Sequence, residues 1–162
     1  MSTKEGEQMN DYEFNQYQRE QVIKVMAHNT FNDARKQVAW HGIKNRLLRK
    51  PHRLESWDEV SGQGKLDQQH ELGTQPVAIK EIVGSMGRVE DFDREFFPRN
   101  SRSFGRWMRI AMAVNKGVGL PAVELYKIDN HYYVKDGHHR ISVASTHGQT
   151  FIDAAVTEIV MN

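Results

Sequence analysis

Apolar positions fall into short periodic runs separated by polar or glycine-bearing breaks. From Asp11 to about His28, Phe14, Tyr17, Val22, Val25 and Met26 make a helical stripe. His28-Asn29-Thr30 reads as a break with Thr30 as the next N-cap, after which Phe31, Ala34, Val38, Ile43 and Leu47 recur near the helical period. Two helices are therefore expected. Pro51 stops the second, and Ser56-Trp57-Asp58-Glu59 has the form of a capping box opening a short helical turn. Ser61 to Gly73 is polar, contains glycine and breaks the periodicity, so it reads as a linker.

Beyond the linker, Val77-Ala78-Ile79 alternates with Lys80, and Ile82-Val83 closes a short strand before the loop Gly84-Ser85-Met86-Gly87-Arg88. A helix with an apolar face of Phe104, Trp107, Met108, Ala111 and Val114 ends at Lys116-Gly117, where Gly117 suits the C′ position. Val123 to Tyr126 alternates as a strand; Asp129-Asn130 turns the chain; Tyr132-Tyr133-Val134 returns antiparallel. The helix after Arg140 runs to His147, Gly148 ends it, and Phe151 to Val160 reads as a last strand. Helices and strands in this order predict an α+β fold: residues 1–72 as a helical arm with linker, residues 73–162 as a compact domain of short mixed strands and helices.

Composition narrows the picture. A chain of 162 residues buries one core with room for an appendage. Lys and Arg total 22 against 21 Asp and Glu, a net charge of +1, so neither broad nucleic-acid coating nor membrane attraction is expected and any basic patch must be local. The absence of cysteine removes disulfides, thiolate metal sites and cysteine nucleophiles, and agrees with a reducing, cytoplasmic location. Met1 to Gln8 is polar, lacks the layout of a secretory signal and reads as frayed. No apolar run is long enough to cross a bilayer, so a soluble protein with no membrane partner is expected.

The stretch with most chemistry is Asp136-Gly137-His138-His139-Arg140, with Ser142 behind it, at a strand-to-helix junction. Such a junction aims backbone N–H groups at the positive end of a helix dipole and suits a phosphate. Gly137 permits close approach, Arg140 can grip two oxygens, and Ser142 can cap the helix or reach phosphate. His138 or His139 can donate to phosphate or move a proton near neutral pH. Asp136 can bind Mg²⁺ or activate a hydroxyl. The bland alternative is a capped helix with idle, exposed histidines. Arg88 lies in the glycine-containing loop, which lacks a P-loop ending; Asp91, Asp93 and Arg94 follow, and Arg99, Arg102, Arg106 and Arg109 crowd the approach to a helix. Those guanidiniums can meet phosphate or nucleic acid, or pair with nearby carboxylates. The cationic end of the second helix, with Lys44, Arg46, Arg49 and Lys50, can touch nucleic acid or simply complement the helix dipole. The remaining histidines show no pairing at zinc-ligand spacing.

Residues from about Pro76 to Val160 resemble the ParB/sulfiredoxin-like superfamily. The resemblance is carried by Leu120-Pro121-Ala122-Val123-Glu124-Leu125, the tyrosine-rich return strand, Gly137-His138-His139-Arg140 opening a helix, and Ile152-Asp153-Ala154-Ala155-Val156. Ile82 to Pro98 is also similar to a bacterial group of uncharacterised ParB-like proteins ending in the same Asp-Gly-His-His-Arg box. The superfamily implies a fold in which this box cradles nucleotide phosphates. Sulfiredoxins carry Gly-Cys-His-Arg, with the catalytic cysteine where this chain has His138, so sulfinic-acid repair is not expected. ParB proteins carry Gly-Glu-Arg-Arg and bind CTP; Gly137 and Arg140 match, His138 and His139 depart, and no helix-turn-helix follows before Asn162. An ADP-dependent free-serine kinase and a group of restriction-related NTP hydrolases have similar boxes. The resemblance therefore implies a nucleotide ligand (ATP, ADP or CTP) and Mg²⁺, with phosphoryl transfer or phosphohydrolysis, nuclease action included, through Asp136, His138, His139 and Arg140. The alternative is a non-catalytic, nucleotide-responsive module touching DNA or a protein partner through Arg99, Arg102, Arg106 and the N-terminal helices, with a homo-oligomer compatible with either.

Overall fold

A computed structural model of the chain describes residues 10–62 and 66–161, so the expectations for Met1 to Gln8 and for the middle of the proposed linker lie outside the described residues. The element order is α1 (Asp11–Leu47), β1 (Glu55–Ser56), α2 (Trp57–Ser61), β2 (Leu66–Ala78), β3 (Ile82–Ser85), α3 (Phe104–Asn115), β4 (Val123–Ile128), β5 (His131–Asp136), α4 (His138–Thr146) and β6 (Phe151–Met161). It is a mixed α/β fold, as expected.

The two expected N-terminal helices are one. α1 runs unbroken for 37 residues, about 55 Å at the α-helical rise. Thr30 caps nothing: its hydroxyl donates to the Met26 carbonyl at 2.9 Å, a bond made inside a continuing helix. The real start is Asn10, whose side chain accepts the Glu13 amide while Glu13 accepts the Asn10 amide, a reciprocal capping box. Burial also crosses the expected break, because Ala27, Phe31 and Ala34 are all buried. The stripe then continues through half-buried Val38 and His41 to buried Asn45, whereas Ile43 and Leu47, expected on the inner face, are exposed.

The segment read as a linker is mostly strand. β2 begins at Leu66, runs through the 72/73 boundary, and pairs antiparallel with β6 from Leu66 opposite Met161 to Ala78 opposite Phe151. Every residue from Gln68 to Thr74 is exposed, so the segment lacks the alternation by which a half-buried strand is recognised. The strand expected over Val77 to Val83 is split by a 3-10 turn at Ile79–Glu81, and Gly84 and Ser85 belong to β3 rather than to the loop. α2 forms where Ser56 predicts it, but the Ser56 side chain makes no capping bond.

The six strands lie in the order β1-β3-β5-β4-β6-β2. β1 with β3, β3 with β5, and β4 with β6 are parallel; β4 with β5 and β6 with β2 are antiparallel. The hairpin at Asp129-Asn130 is as expected, with Asp129 at φ 52°. Two apolar clusters hold the layers together. Ile82, Val123, Leu125, Val134, Ile141 and Val156 pack the sheet against α4, while Phe31, Trp107, Met108, Ala111 and Val143 join α1, α3 and α4. Between β3 and α3 the chain loops over the sheet, anchored by the fully buried Phe92 and Phe96. No helix among the described residues is long and apolar enough to cross a membrane.

Candidate functional site

α4 begins at His138, three residues before the expected start at Ile141, because Gly137 takes the N-cap position at φ 106°. Only glycine suits this corner: a Cβ there would meet Val123 Cγ1 at 2.5 Å, so the backbone conformation and the packing against β4 make the same demand. Arg140 is committed to this corner as well. Its Nη1 donates to the carbonyls of Pro121 and Ala122, both at 2.7 Å, and its Nη2 to Asp136 Oδ2 at 2.7 Å. The guanidinium thus ties α4 to the chain entering β4. Asp136, about two-thirds exposed, is its ion-pair partner.

Both histidines of the box are buried, unlike the exposed pair of the bland alternative. His138 Nε2 lies 2.5 Å from Ser85 Oγ, while the Ser85 hydroxyl also donates to the Gly87 carbonyl and accepts the Gly87 amide. A hydroxyl has one proton; with that proton on the carbonyl, Nε2 must carry its own and donate to Oγ. His138 therefore fastens α4 to the end of β3. Ser142 neither caps the helix nor faces solvent: its Oγ, fully buried, accepts the Trp107 indole N–H at 3.0 Å and joins α4 to α3.

His139 is different. Its ring meets Phe92 edge-on at 5.4 Å, and its Nε2 is buried without a hydrogen-bond partner among the described residues. That nitrogen belongs to a side chain lining a cleft of about 510 Å³ together with Arg88, Asp91, Arg102, Ser103, Gly105, Arg106 and Arg109. Ser103 Oγ, at the N-cap of α3, is a second buried polar atom without a partner among the described residues. Four guanidiniums thus surround one carboxylate. Asp91 faces Arg88 at 3.4 Å and Arg102 at 3.8 Å, while among the described residues Arg106 and Arg109 make no ion pair. Burial, then the charge of Arg88, pushes both His138 and His139 down to about 4, with Arg106 adding to the effect on His139. Both imidazoles are neutral at physiological pH.

The expected site therefore divides in two. The structure brings His139 together with Arg88, Arg102 and Arg106. It leaves Asp136 and Arg140 paired with each other, sets His138 and Ser142 into internal bonds, and pairs Arg99 with Glu90 at 3.2 Å. Arg109 and Asp91 complete the cleft; Arg102, Arg106 and Arg109, at helical spacing, are the signal that one face was being charged. Nothing in the sequence marks Ser103. Among the described residues Asp136 belongs to no group of three or more side chains able to hold a metal ion, whereas His41, Asp93 and Glu95 form such a group.

No protein-family model matches the chain. No curated protein matches it. Among solved structures, part of the chain is similar to the crystal structure of sulfiredoxin from Arabidopsis thaliana, with 12% identity over 51% of this chain and 82% of that one and a TM-score of 0.40.

Proposed function

We propose that the protein binds a phosphorylated ligand, a nucleotide being the expected class, with its phosphates in the arginine cleft beside His139. The observation that carries this is the convergence of Arg88, Arg102, Arg106 and Arg109 on a cleft with one opposing carboxylate and two unpartnered buried polar atoms. Guanidiniums match phosphate oxygens in fork geometry, and an orphaned buried donor is costly until something pairs with it. A neutral His139 can donate one hydrogen bond to a phosphate oxygen without adding charge. The volume suits a small molecule.

Binding is favoured over phosphoryl transfer on two grounds. An imidazole held down to about 4 is a weak base at neutral pH. Asp136, the carboxylate proposed to bind Mg²⁺ or activate an acceptor, is held by Arg140 away from the cleft lining.

Thermal-shift titrations with ADP, ATP, CTP and inorganic phosphate, each with and without Mg²⁺, test the proposal. At least one phosphorylated compound raises the melting temperature of the natural chain, and Arg88→Ala and Arg106→Ala each abolish the shift. No stabilisation by any of them, or stabilisation unaffected by both substitutions, overturns it. Release of inorganic phosphate from the same samples would replace binding by turnover, and tight, salt-dependent association with duplex DNA would replace the small ligand by a polynucleotide.

A further inference from the structure

A second polar cluster lies where α1 crosses the loop before α3. His41, on the inner stripe of α1, places Nδ1 2.9 Å from Asp93 Oδ2 and 3.8 Å from Glu95 Oε2. One donor atom from each of the three side chains lies within 4.8 Å of the other two. We infer that His41, Asp93 and Glu95 form a binding site for one divalent transition-metal ion, Zn²⁺ the best fit, which clamps α1 to the domain.

The separations suit the ion. With metal–ligand bonds of about 2.0–2.1 Å, neighbouring ligands of a tetrahedral centre stand about 3.3 Å apart, between the two observed distances. One imidazole nitrogen with two carboxylate oxygens favours Zn²⁺ or a similar first-row ion over Mg²⁺, which takes oxygen ligands. The fourth position would fall to water.

The second oxygens of the two carboxylates strengthen the case, because each is already engaged. Asp93 Oδ1 accepts the amides of Glu95 at 3.0 Å and Phe97 at 2.8 Å. Glu95 Oε1 accepts the side-chain amide of the buried Asn45 at 3.0 Å. The His41 ring is braced edge-on by Phe97 at 4.8 Å. Such supporting bonds orient ligands at metal centres. What they leave pointing at one another are Nδ1, Oδ2 and Oε2. Glu95 Oε2 is shielded from solvent and has no hydrogen-bond partner among the described residues, and a single imidazole proton cannot serve two carboxylates. A cation answers both. His41 and Asn45 stand four residues apart on α1, while Asp93 and Glu95 lie about fifty residues later, so the ion would join segments distant in sequence.

The test uses the full chain without an affinity tag, freed of metal with chelator and then titrated with Co²⁺ and, in competition with a chromophoric chelator, with Zn²⁺. The expected result is one ion per chain, a visible cobalt band at low coordination number, and a melting temperature raised by Zn²⁺. Loss of a supporting residue alone costs metal sites about 10–100-fold, so loss of a ligand through Glu95→Gln or His41→Gln should weaken Zn²⁺ binding about tenfold or more. Glu95 is partly exposed and its amide isostere can keep the Asn45 bond, so that variant stands even if His41→Gln fails to fold. No stoichiometric binding, or binding unchanged in Glu95→Gln, overturns the inference. Phosphate binding at the arginine cleft is read separately and does not bear on it.

Discussion

The two histidines of the box should make this protein lose stability in mild acid by a predictable amount. His138 and His139 both stand at about 4 in the folded chain, against an ordinary value of 6.5. The folded value is the lower one, so the unfolded chain takes up protons first. Their contribution is then fully present above pH 6.5 and declines as pH falls from there toward 4. At pH 5 the difference between the two states amounts to about 2 kcal/mol for a histidine so shifted. That is a large share of the ~5–15 kcal/mol that holds most domains together. The cause is physical: charging His139 sets an unsolvated cation beside Arg88 and Arg106, and charging His138 does so beside Arg88. Urea unfolding followed by circular dichroism at pH 7 and pH 5, in buffers free of phosphate, measures the loss. Carboxylates also titrate in this range, so the comparison is with the double variant His138→Gln/His139→Gln, or with His139→Gln alone if the double variant does not fold. The natural chain should lose more stability than the variant over the same interval, by about 2 kcal/mol in the comparison with His139→Gln. An equal loss in both would refute the placement of these rings in the interior as neutral groups.

Gly137→Ala sets a side chain at φ 106° against Val123, and should destabilise the fold by roughly 3 kcal/mol or more or prevent soluble expression, read as a fall in the urea midpoint. Ser142→Ala leaves the Trp107 indole N–H unpaired in a dry interior, at a cost of about 1–3 kcal/mol by the same assay. Arg140→Ala removes the bonds to Pro121, Ala122 and Asp136; it should lower stability by about 2 kcal/mol while leaving the phosphate-induced thermal shift in place, unlike Arg88→Ala. A shift lost in Arg140→Ala but retained in Arg88→Ala would return the phosphate site to the start of α4.

Several features were legible because their signals are local. Helical spacing of Phe104, Trp107, Met108 and Ala111 marks α3; the Asp129-Asn130 turn marks the β4–β5 hairpin; Gly117 and Gly148, at φ 74° and 75°, sit where helices end. Gly137, between a strand and a helix, marks a close approach, and the structure adds Val123 as what it approaches. Other features misled for equally local reasons. Thr30 resembles a cap, yet its hydroxyl is satisfied inside the helix, and the apolar positions Ile43 and Leu47 lost the inner face of α1 to His41 and Asn45. Polar residues win such positions only when partners come from elsewhere, here from Asp93 and Glu95. β2 was hidden in a polar segment because its strand character derives from pairing with β6.

The mixed helix-and-strand character, the strand-to-helix corner at Gly137, an adjacent pair of histidines and, some thirty residues earlier, a run of arginines are all readable from the chain alone. Periodicity, glycine and turn chemistry act over a few residues and can be read from them. Which groups meet is set by the packing of distant segments: Arg140 with two backbone carbonyls rather than a ligand, Ser142 with Trp107, His139 with the arginines of α3, and His41 with a pair of carboxylates some fifty residues away. Those meetings follow from how α1, α3 and α4 pack on one another and on the sheet, and no local pattern along the chain encodes them.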